Sequence, residues 1–416
     1  MADITKYYFI FTQEIHSVGG MQLYTAGKSR FLEENGWKTV VFHPDYSPKG
    51  CAYEYLDRYN RYANPIIELP PVAYSKRTVN KVINWMCSLV SAKTCSVVYI
   101  ESQYDIAALW AEMFAEKIGG IHINFNCNEV FRGKHKIYPF IQEFFWHKYC
   151  QHALYGLRPD TICKIFEGYR DVEPDESTLF DAVEPDPIQD IEDNRVEQIC
   201  NADYTIMYLG RIVKGYVPNI IDGVAEFAKQ YPEKHIQFCI VGDAEERRSE
   251  IENVLSNIAN LNIIYMGNMV PIPKAIYAKV DVVIAGAVCA EISARCGVPT
   301  IVADCENYYA NGVLGYTVHN SMYYEKEQGQ TDFATALVDT LIKKSYLNYP
   351  YSFPESKPVE EIYSEHMGLY DKVEHGKDYY DVYSVKVPIN YKKAALIQII
   401  RYCFLSCTVM WAEEVI

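Results

Sequence analysis

The sequence lacks several features that define whole classes of protein. Basic residues are outnumbered, because 39 Lys and Arg stand against 54 Asp and Glu and give a net charge of −15. Broad nucleic-acid binding depends on Lys and Arg that neutralise phosphates, so this balance argues against it. It still allows one small anion in a locally positive pocket. No uninterrupted apolar run approaches the ~20 residues that a membrane-spanning helix needs.

The cysteines form neither a CxxC pair nor a zinc-ligand spacing, although the chain has 13 of them. Their odd number and their place in apolar runs, such as Cys239 within 237–241, fit free thiols that pack as small hydrophobic groups. This usage favours a reducing cytosol over a disulfide framework. Residues 1–6 lead directly into the first predicted strand, so we expect no signal peptide and a cytoplasmic protein.

Short apolar runs alternate with segments of helical periodicity, which predicts α/β architecture with βα units on parallel sheets. In the first half, the predicted strands are 7–11, 39–42, 96–100, 121–125 and 161–166, and the predicted helices are 21–35 and 106–117. In the second half, strands are predicted at 204–209, 236–241, 262–266, 280–284 and 299–302, and helices at 217–230, 245–258, 333–344 and 360–373. Two similar halves therefore follow one another along the chain.

An acidic segment interrupted by prolines, residues 171–194, separates the two series and indicates an interdomain connector. We expect four parts, which are an N-terminal Rossmann-like domain at 1–180, a linker at 181–202, a C-terminal Rossmann-like domain at 203–350 and a helical tail at 351–416 that packs back on the domains. Ligands of such sheets bind beyond the C-terminal strand ends, so we expect a site in a cleft between the domains.

The strongest functional motif is the loop at residues 210–215, with the sequence GRIVKG. It lies between a predicted strand and a predicted helix. Arg211, Lys214 and several backbone N–H groups are therefore expected at a helix N-terminus, where anions bind well. Arginine offers a planar fork for phosphate oxygens and lysine a point charge. Taken alone, the same spacing also occurs in ordinary solvated turns.

Three further segments follow this loop in order, with the sequences VGD at 241–243, MGN at 266–268 and CGVP at 296–299. The series resembles the C-terminal domain of the GT-B glycosyltransferases, most closely the large retaining family, family 4-like, that builds bacterial polysaccharides and glycolipids. The resemblance implies two doubly wound Rossmann-like domains facing a cleft, with C-terminal helices. It also implies that Gly210, Arg211 and Lys214 hold the donor diphosphate and that Gly242 and Gly267 border the nucleoside pocket.

The N-terminus agrees with this resemblance, because Gly19 and Gly20 follow the first predicted strand and open a helix. They resemble the family's Gly-Gly loop, whose backbone lies against donor phosphate and acceptor. Glycine has no Cβ, so a ligand can approach the main chain closely. A Gly-Gly pair can equally form a simple turn. The resemblance covers roughly residues 5–45 and 203–375 and is weak between them.

Two departures from the family pattern concern the proposed donor site. Lys214 follows Arg211 by three residues, whereas the family usually places its lysine five or six residues on. The family also carries Glu-x7-Glu before Gly-Val-Pro. Here Ile292 stands at the expected second position and Glu291 is one position away from it, and counting from Glu291 the first position is 283, which is occupied by Val283. Glu291 could orient the donor ribose or act in catalysis, or it could be a first-turn helix carboxylate favoured by the helix dipole.

Other candidates lie in the first domain. Asn126 and Asn128 end a predicted strand and could bind acceptor hydroxyls, and Glu129 beside them could act as a general base. His16, just before the Gly-Gly loop, is a further candidate for catalysis. Asn-rich strand ends are also common turn formers, and a single loop histidine is often structural.

Two segments remain without a motif. Residues 304–317 could form an ordered loop above the donor pocket or a plain surface loop. Residues 392–405 form a basic-headed, strongly apolar helix that could contact a membrane surface or could pack on the domains.

The resemblance implies a glycosyltransferase of bacterial surface polysaccharide or capsule synthesis, acting in the cytoplasm or at the inner membrane face. Its partners would be a nucleotide sugar and a glycan or lipid-linked acceptor. Arg211 and Lys214 would neutralise the diphosphate leaving group, so no metal and no cofactor are expected beyond the nucleotide sugar. The alternatives are a non-catalytic GT-B partner subunit, favoured by the broken Glu-x7-Glu pair, and a nucleotide-sugar epimerase or hydrolase of the same fold.

Overall fold

The protein is described by a computed structural model that covers residues 5–90, 95–127, 139–182, 187–322, 329–355 and 357–400. The chain forms two compact units. The first unit comprises residues up to Pro185 together with those from Lys357 onward, and the second runs from Asp186 to Ser356. Within these described ranges, every helix is too short or too polar to cross a membrane.

A five-stranded parallel sheet in the order β2-β1-β3-β4-β5 forms the centre of the first unit. Its strands are β1 (Thr5–Phe11), β2 (Trp37–Phe42), β3 (Cys95–Ser102), β4 (Ile121–Asn126) and β5 (Leu154–Gly156). On β1, Phe9 enters one hydrophobic core and Tyr8 enters another on the opposite face. Because both faces are covered, β1 is continuously apolar over residues 7–11, whereas β4 alternates between apolar residues and the buried polar residues His122, Asn124 and Asn126.

The helices of this part of the chain are α1 (Gly20–Glu34), α2 (Glu54–Asp57), α3 (Lys76–Ser88), α4 (Asp105–Ile118), α5 (Gln142–Cys150) and α6 (Pro159–Ile165). The predicted strand at 161–166 is wrong, because these residues lie mostly in α6. Pro159 occupies the first turn of α6, where its fixed φ suits a helix and its missing N–H costs nothing. The fifth strand is instead the short β5.

The second unit contains a six-stranded sheet in the order β13-β12-β11-β7-β8-β9, parallel except for β13. Its strands are β7 (Tyr204–Leu209), β8 (Ile236–Val241), β9 (Leu261–Gly267), β11 (Val282–Ala285), β12 (Thr300–Ala303) and β13 (Ala310–Val313). A separate two-stranded pair joins β6 (Ile188–Gln189) and β10 (Ile272–Pro273). The helices are α7 (Val217–Gln230), α8 (Arg248–Leu255), α9 (Val288–Arg295) and α10 (Phe333–Leu337), and α10 continues as a π turn over Val338–Ile342.

The segment before β7 lies inside the range expected to be linker, and it packs on the second unit. Arg195 donates to the carbonyl oxygens of Met266 at 2.7 Å and Asn268 at 2.9 Å. Val196 and Ile199 are buried in the core of this unit. The segment is therefore fixed to the sheet that it precedes.

After the second unit, the chain returns to the first and forms α11 (Val359–Leu369) and α12, described over residues 389–400. Tyr370, just after α11, is buried and stacks on Tyr99 of β3 with ring centroids 4.1 Å apart. The C-terminal part of the chain thus completes the core of the first unit.

Strand order creates one switch point in each main sheet. In the first unit, β1 has β2 on one side and β3 on the other. In the second unit, β7 has β8 on one side and β11 on the other. Crossovers leave such a central strand in opposite directions, so a crevice opens beyond its carboxyl end, and ligands of open α/β sheets bind there.

Candidate functional site

Three glycines follow three adjacent strands of the second unit and lie in contact with one another. The Gly210 N–H donates to the carbonyl oxygen of Val241 at 3.0 Å, and the Gly242 N–H donates to that of Gly267 at 2.9 Å. A Cβ on Gly242 would lie 2.2 Å from the Gly210 carbonyl oxygen, so only glycine fits there. The loops after β7, β8 and β9 therefore present closely packed main chain at one edge of the sheet.

Arg211 and Lys214 lie at opposite ends of one tight turn between β7 and α7. The Lys214 N–H donates to the Arg211 carbonyl oxygen at 3.2 Å, and the same oxygen accepts from the Tyr208 hydroxyl at 2.9 Å. Ile212 is buried below the turn, whereas the Arg211 side chain is exposed. The turn thus brings two positive residues together beside the switch point, at the N-terminal end of α7.

Two buried tyrosines support this turn from below. The Tyr208 and Tyr216 side chains share a hydrogen bond, and burial raises the pKa of both well above the usual value. Both hydroxyls therefore keep their protons, which lets Tyr208 donate to the Arg211 carbonyl. A Cβ on Gly286, after β11, would lie 3.2 Å from the Tyr216 hydroxyl. Tyr216, which supports the turn after β7, therefore also packs close to the residue that follows the neighbouring strand β11.

The loop after β12 contacts the beginning of α7. The Tyr308 ring lies so close to Gly215 that a Cβ there would be 2.5 Å from the phenol oxygen. The Asn219 side chain donates to the Tyr308 carbonyl oxygen at 2.8 Å. Asp304 closes the loop by accepting from the N–H groups of residues 306 and 307 at 2.7 and 2.6 Å. Within the predicted loop 304–317, residues Ala310–Val313 form strand β13.

Glu291 lies in the first turn of α9, after the strand that borders the switch point. Its Oε1 accepts from the Ser321 hydroxyl at 2.7 Å, and its Oε2 lies 3.9 Å from Arg295. Its side chain is 28% exposed, so a ligand hydroxyl can reach it. Ile292, where the family pattern would place its second glutamate, and Val283, eight positions before Glu291, are buried in the apolar core. Both are apolar, so Glu291 has no second carboxylate at the spacing of the family pattern.

In the first unit, α1 begins at Gly20 and Gly19 is its N-cap. The Gly19 N–H lies 3.3 Å from the Tyr53 hydroxyl, which in turn donates to the Gly19 carbonyl oxygen at 3.2 Å. The Gly-Gly pair therefore ends the loop that leads from β1 to α1, and Tyr53 fixes its first residue.

His16 has a partner at each ring nitrogen. Its Nε2 lies 3.3 Å from the Asp45 carbonyl oxygen, and its Nδ1 lies 3.3 Å from the Cys51 sulfur. Burial raises the pKa of Cys51 to about 11, so the thiol keeps its proton and can donate to Nδ1. A neutral imidazole with its proton on Nε2 satisfies both contacts. To serve as a base, His16 would first have to exchange the Cys51 contact for a substrate proton.

Asn126 is buried at the end of β4, and its amide donates to Asp105 at 3.1 Å. This contact holds the beginning of α4, and it directs the amide into the unit. Asn128 and Glu129, the other two candidates of this segment, lie outside the described residues.

Two buried polar networks in the first unit have no counterpart in the sequence analysis. In one, Lys28 forms a 2.5 Å ion pair with Glu101, and Tyr8 donates to the same carboxylate at 2.7 Å. His366 of α11 lies 3.3 Å from the Lys28 ammonium. The members of this network come from α1, β1, β3 and α11, so no local sequence pattern could reveal the network.

The second network has the residue types of a Ser-His-Glu triad. The Ser102 hydroxyl lies 2.8 Å from His122 Nε2, and Glu112 lies 2.6 Å from Nδ1. Lys148 adds an ammonium 3.1 Å from Glu112 and keeps the pKa of that carboxyl below its usual range, although burial alone would raise it. Ser102, His122 and Glu112 are all buried, so no substrate can reach the serine. The network stabilises the interior.

Over the described ranges, no group of three or more His, Cys, Asp or Glu side chains is arranged to hold a metal ion. The candidate site of the second unit consists of closely packed main chain, two cationic side chains and one carboxylate.

Neither family models nor curated protein sequences match the chain significantly. Its fold, however, matches solved structures. HepE of Anabaena, in complex with UDP-glucose, gives a TM-score of 0.54 at 11% identity over 95% of this chain and 99% of that one. A candidate UDP-N-acetylglucosamine 2-epimerase from Listeria monocytogenes gives a TM-score of 0.51 at 13% identity over 92% and 99%. This likeness establishes the fold alone. The chain has the two Rossmann-like α/β domains of the GT-B fold, which confirms the predicted fold class.

Proposed function

We propose that the second unit binds a nucleoside diphosphate sugar at the loop 210–215 and that the protein transfers the sugar to a glycan or lipid-linked acceptor. One observation carries this proposal. The packed main chain of Gly210, Gly242 and Gly267 lies beside the turn that carries Arg211 and Lys214, at the carboxyl end of the switch-point strand. Close main chain and two cations are what a diphosphate requires.

The role of the two cations is electrostatic. As the glycosidic bond breaks, negative charge develops on the diphosphate, and Arg211 and Lys214 would neutralise it in place. Glu291, across the switch point, would accept a hydrogen bond from a ribose hydroxyl, as it now accepts one from Ser321. The UDP-glucose in the HepE structure supports a nucleotide sugar as ligand of this fold. Two cations and a helix N-terminus supply the positive charge, so the proposed mechanism requires no metal ion.

The resemblance of the loop series to the family that builds bacterial polysaccharides supports surface polysaccharide or capsule synthesis as the process. A non-catalytic partner subunit is the second candidate. It is favoured by the buried apolar residues Val283 and Ile292, because they leave Glu291 as a single carboxylate. An epimerase or hydrolase of the same fold is a further outcome that the experiment below can distinguish.

Titration calorimetry with UDP and GDP tests the site directly. We expect the wild-type protein to bind one of them, and Arg211→Ala to weaken this binding about tenfold or more, since a charge-assisted hydrogen bond contributes about 1.5–3 kcal/mol. Lys229→Ala removes an exposed cation from the far end of α7 and should bind as the wild type does. Unchanged affinity in Arg211→Ala would show that the site lies elsewhere.

Product analysis then separates the candidate functions. Transfer of radiolabelled sugar to a glycan or lipid-linked acceptor supports the proposal. Conversion or hydrolysis of the nucleotide sugar without an acceptor would identify an epimerase or hydrolase. Nucleotide binding without any turnover would favour the partner subunit.

A further inference from the structure

Helix α12 has an inner face that is fixed to the first unit. Ala395 is buried, and Ile399 packs against the core. The Gln398 amide donates to the Pro65 carbonyl oxygen at 2.6 Å and to Glu68 at 2.9 Å, and it also accepts from Tyr74. The helix is thus held on the protein surface in one rotational setting.

The opposite face of the same helix is apolar and exposed. Ile389, Leu396, Ile397 and Ile400 are 73%, 61%, 53% and 47% exposed. Residues separated by three, four, seven and eight positions share one side of a helix, so these side chains lie on one side of α12. We call them the outer stripe. Lys393, four positions after Ile389 and three before Leu396, lies among them on the same side. Soluble surfaces rarely expose several large apolar side chains on one helix face without a partner.

The segment of sequence that contains the outer stripe is basic, in contrast to the chain as a whole. Lys392 and Lys393 are exposed in the first turn and a half of α12. Residues 382–412 contain four basic and no acidic residues, whereas the whole chain carries a net charge of −15. A partner that matches both the apolar outer stripe and the nearby lysines must offer an apolar layer below a negatively charged surface.

We propose that α12 lies on the surface of an anionic lipid bilayer, with the outer stripe inserted among the acyl chains and Lys392 and Lys393 at the headgroups. Apolar side chains of an interfacial helix enter the headgroup boundary, and flanking lysines attract anionic lipids. The charge pattern favours anionic lipid over a second copy of this segment, because residues 382–412 contain no acidic residue that could pair with the lysines of another copy.

This inference adds a place of action to the proposed function but does not depend on the nucleotide site. A lipid-linked acceptor lies in such a bilayer, so docking would bring the protein to its substrate. Nucleotide binding by calorimetry and membrane binding by flotation are separate measurements. Either can therefore fail while the other succeeds.

Flotation of the full chain with vesicles of phosphatidylcholine and phosphatidylglycerol, compared with phosphatidylcholine alone, tests the proposal. We expect flotation with the anionic vesicles, weakened by high salt. The triple variant Leu396→Ser, Ile397→Ser and Ile400→Ser should lose at least about a hundredfold in affinity, since each buried CH₂ contributes about 0.8 kcal/mol. Each of Lys392→Ala and Lys393→Ala should lose about fivefold.

The matched control replaces apolar residues of similar exposure elsewhere, Leu347→Ser and Tyr349→Ser, at 58% and 54% exposure in the second unit. This variant should float as the wild type does. Equal flotation of the triple serine variant and the wild type would overturn the proposal, as would a wild type that stays unbound. A dimer that the triple variant loses, with no vesicle binding, would assign the stripe to a second copy instead. Loss of flotation on deletion of 401–416 alone, with the triple variant still bound, would also overturn it.

Discussion

The conformation of the candidate site depends on the absence of a Cβ atom at certain glycines, and Gly242 is the clearest example. Its φ of +146° is a value that side-chain-bearing residues rarely adopt, and a Cβ there would meet the Gly210 carbonyl oxygen. Glycine is therefore needed at position 242 both for its backbone conformation and for the close contact with Gly210. Gly267 has a φ of +65° and completes the contact through its carbonyl oxygen. The loop that binds ligand in our proposal therefore depends on the identity of residues that carry no functional group.

We predict that Gly242→Ala lowers the free energy of unfolding by about 3 kcal/mol or more, because backbone strain and overpacking add. It should also weaken UDP or GDP binding, because the Gly210 loop must move. Urea unfolding and titration calorimetry measure the two effects. Gly168→Ala is the control, since it has a φ of +73° but nothing within 4 Å of the added Cβ. Similar losses in the two variants would mean that the close contact contributes little.

The sequence predicts which site residues lie together only where those residues are close to one another along the chain. Arg211, Lys214 and the strand-end glycines lie in one series of βα units, so their proximity follows from parallel strands. The role of Glu291 was harder to predict, because it lies one position away from the place of the second glutamate in the family pattern. Val283 lies inside β11, within the predicted strand, and is buried in the apolar core.

At the scale of elements, long apolar strands were predictable and short ones were not. The bounds of β7 and β8 agree with the sequence, because each is a continuous apolar run between polar flanks. Residues 161–166 are mostly apolar too, but periodicity alone cannot distinguish a short buried strand from a helix. The segment forms a helix with Pro159 in its first turn, where proline is favourable. The strand β5 has three residues, which is too few to show a pattern.

The attachment of α11 shows a second limit of sequence reasoning. His366 meets Lys28 although the two are 338 residues apart in the chain. The Lys28 ammonium also lies 4.4 Å from the Phe125 ring centroid, and burial lowers its pKa. The pairing with Glu101 acts in the opposite direction and raises this pKa. Such a buried pair requires the whole fold, so no window of the sequence contains its signal.

We predict that Lys28→Met destabilises the first unit by about 3–5 kcal/mol, because it leaves the Glu101 carboxylate buried without its counterion. The double variant with Glu101→Gln should recover part of this loss, since the uncompensated charge is removed. A double-mutant cycle by urea unfolding measures the coupling, and hydrogen exchange should show lower protection in α11. Lys343→Met, which breaks an exposed pair with Asp339, is the control and should change little. A double variant as unstable as the sum of the singles would contradict a coupled pair.

At the scale of the whole molecule, buried histidines are concentrated in one unit. Burial lowers the pKa of His43 and of His122 to about 4. Burial and the neighbouring Lys28 ammonium hold the pKa of His366 well below its usual range. All three belong to the first unit, which includes the returning C-terminal part of the chain. In the folded first unit, protonation of these three imidazoles is therefore disfavoured.

This arrangement predicts that mild acid destabilises the first unit selectively. Each folded pKa lies below the unfolded value of about 6.5, so the unfolded state takes up protons first as the pH falls. The stability is fully present above about pH 6.5 and decreases towards pH 4, by up to about 1.4 kcal/mol per pH unit for each histidine. Hydrogen exchange at pH 7 and pH 5, corrected for intrinsic rates, should show protection falling more in the first unit than in the second.

Two histidine variants test the cause of this pH dependence. His43→Gln retains a donor towards the Tyr59 carbonyl oxygen and should make the loss of protection in the first unit less steep. His235→Gln, at an exposed position of the second unit, should leave the pH dependence unchanged. Equal loss of protection in both units would rule out the buried histidines as its cause.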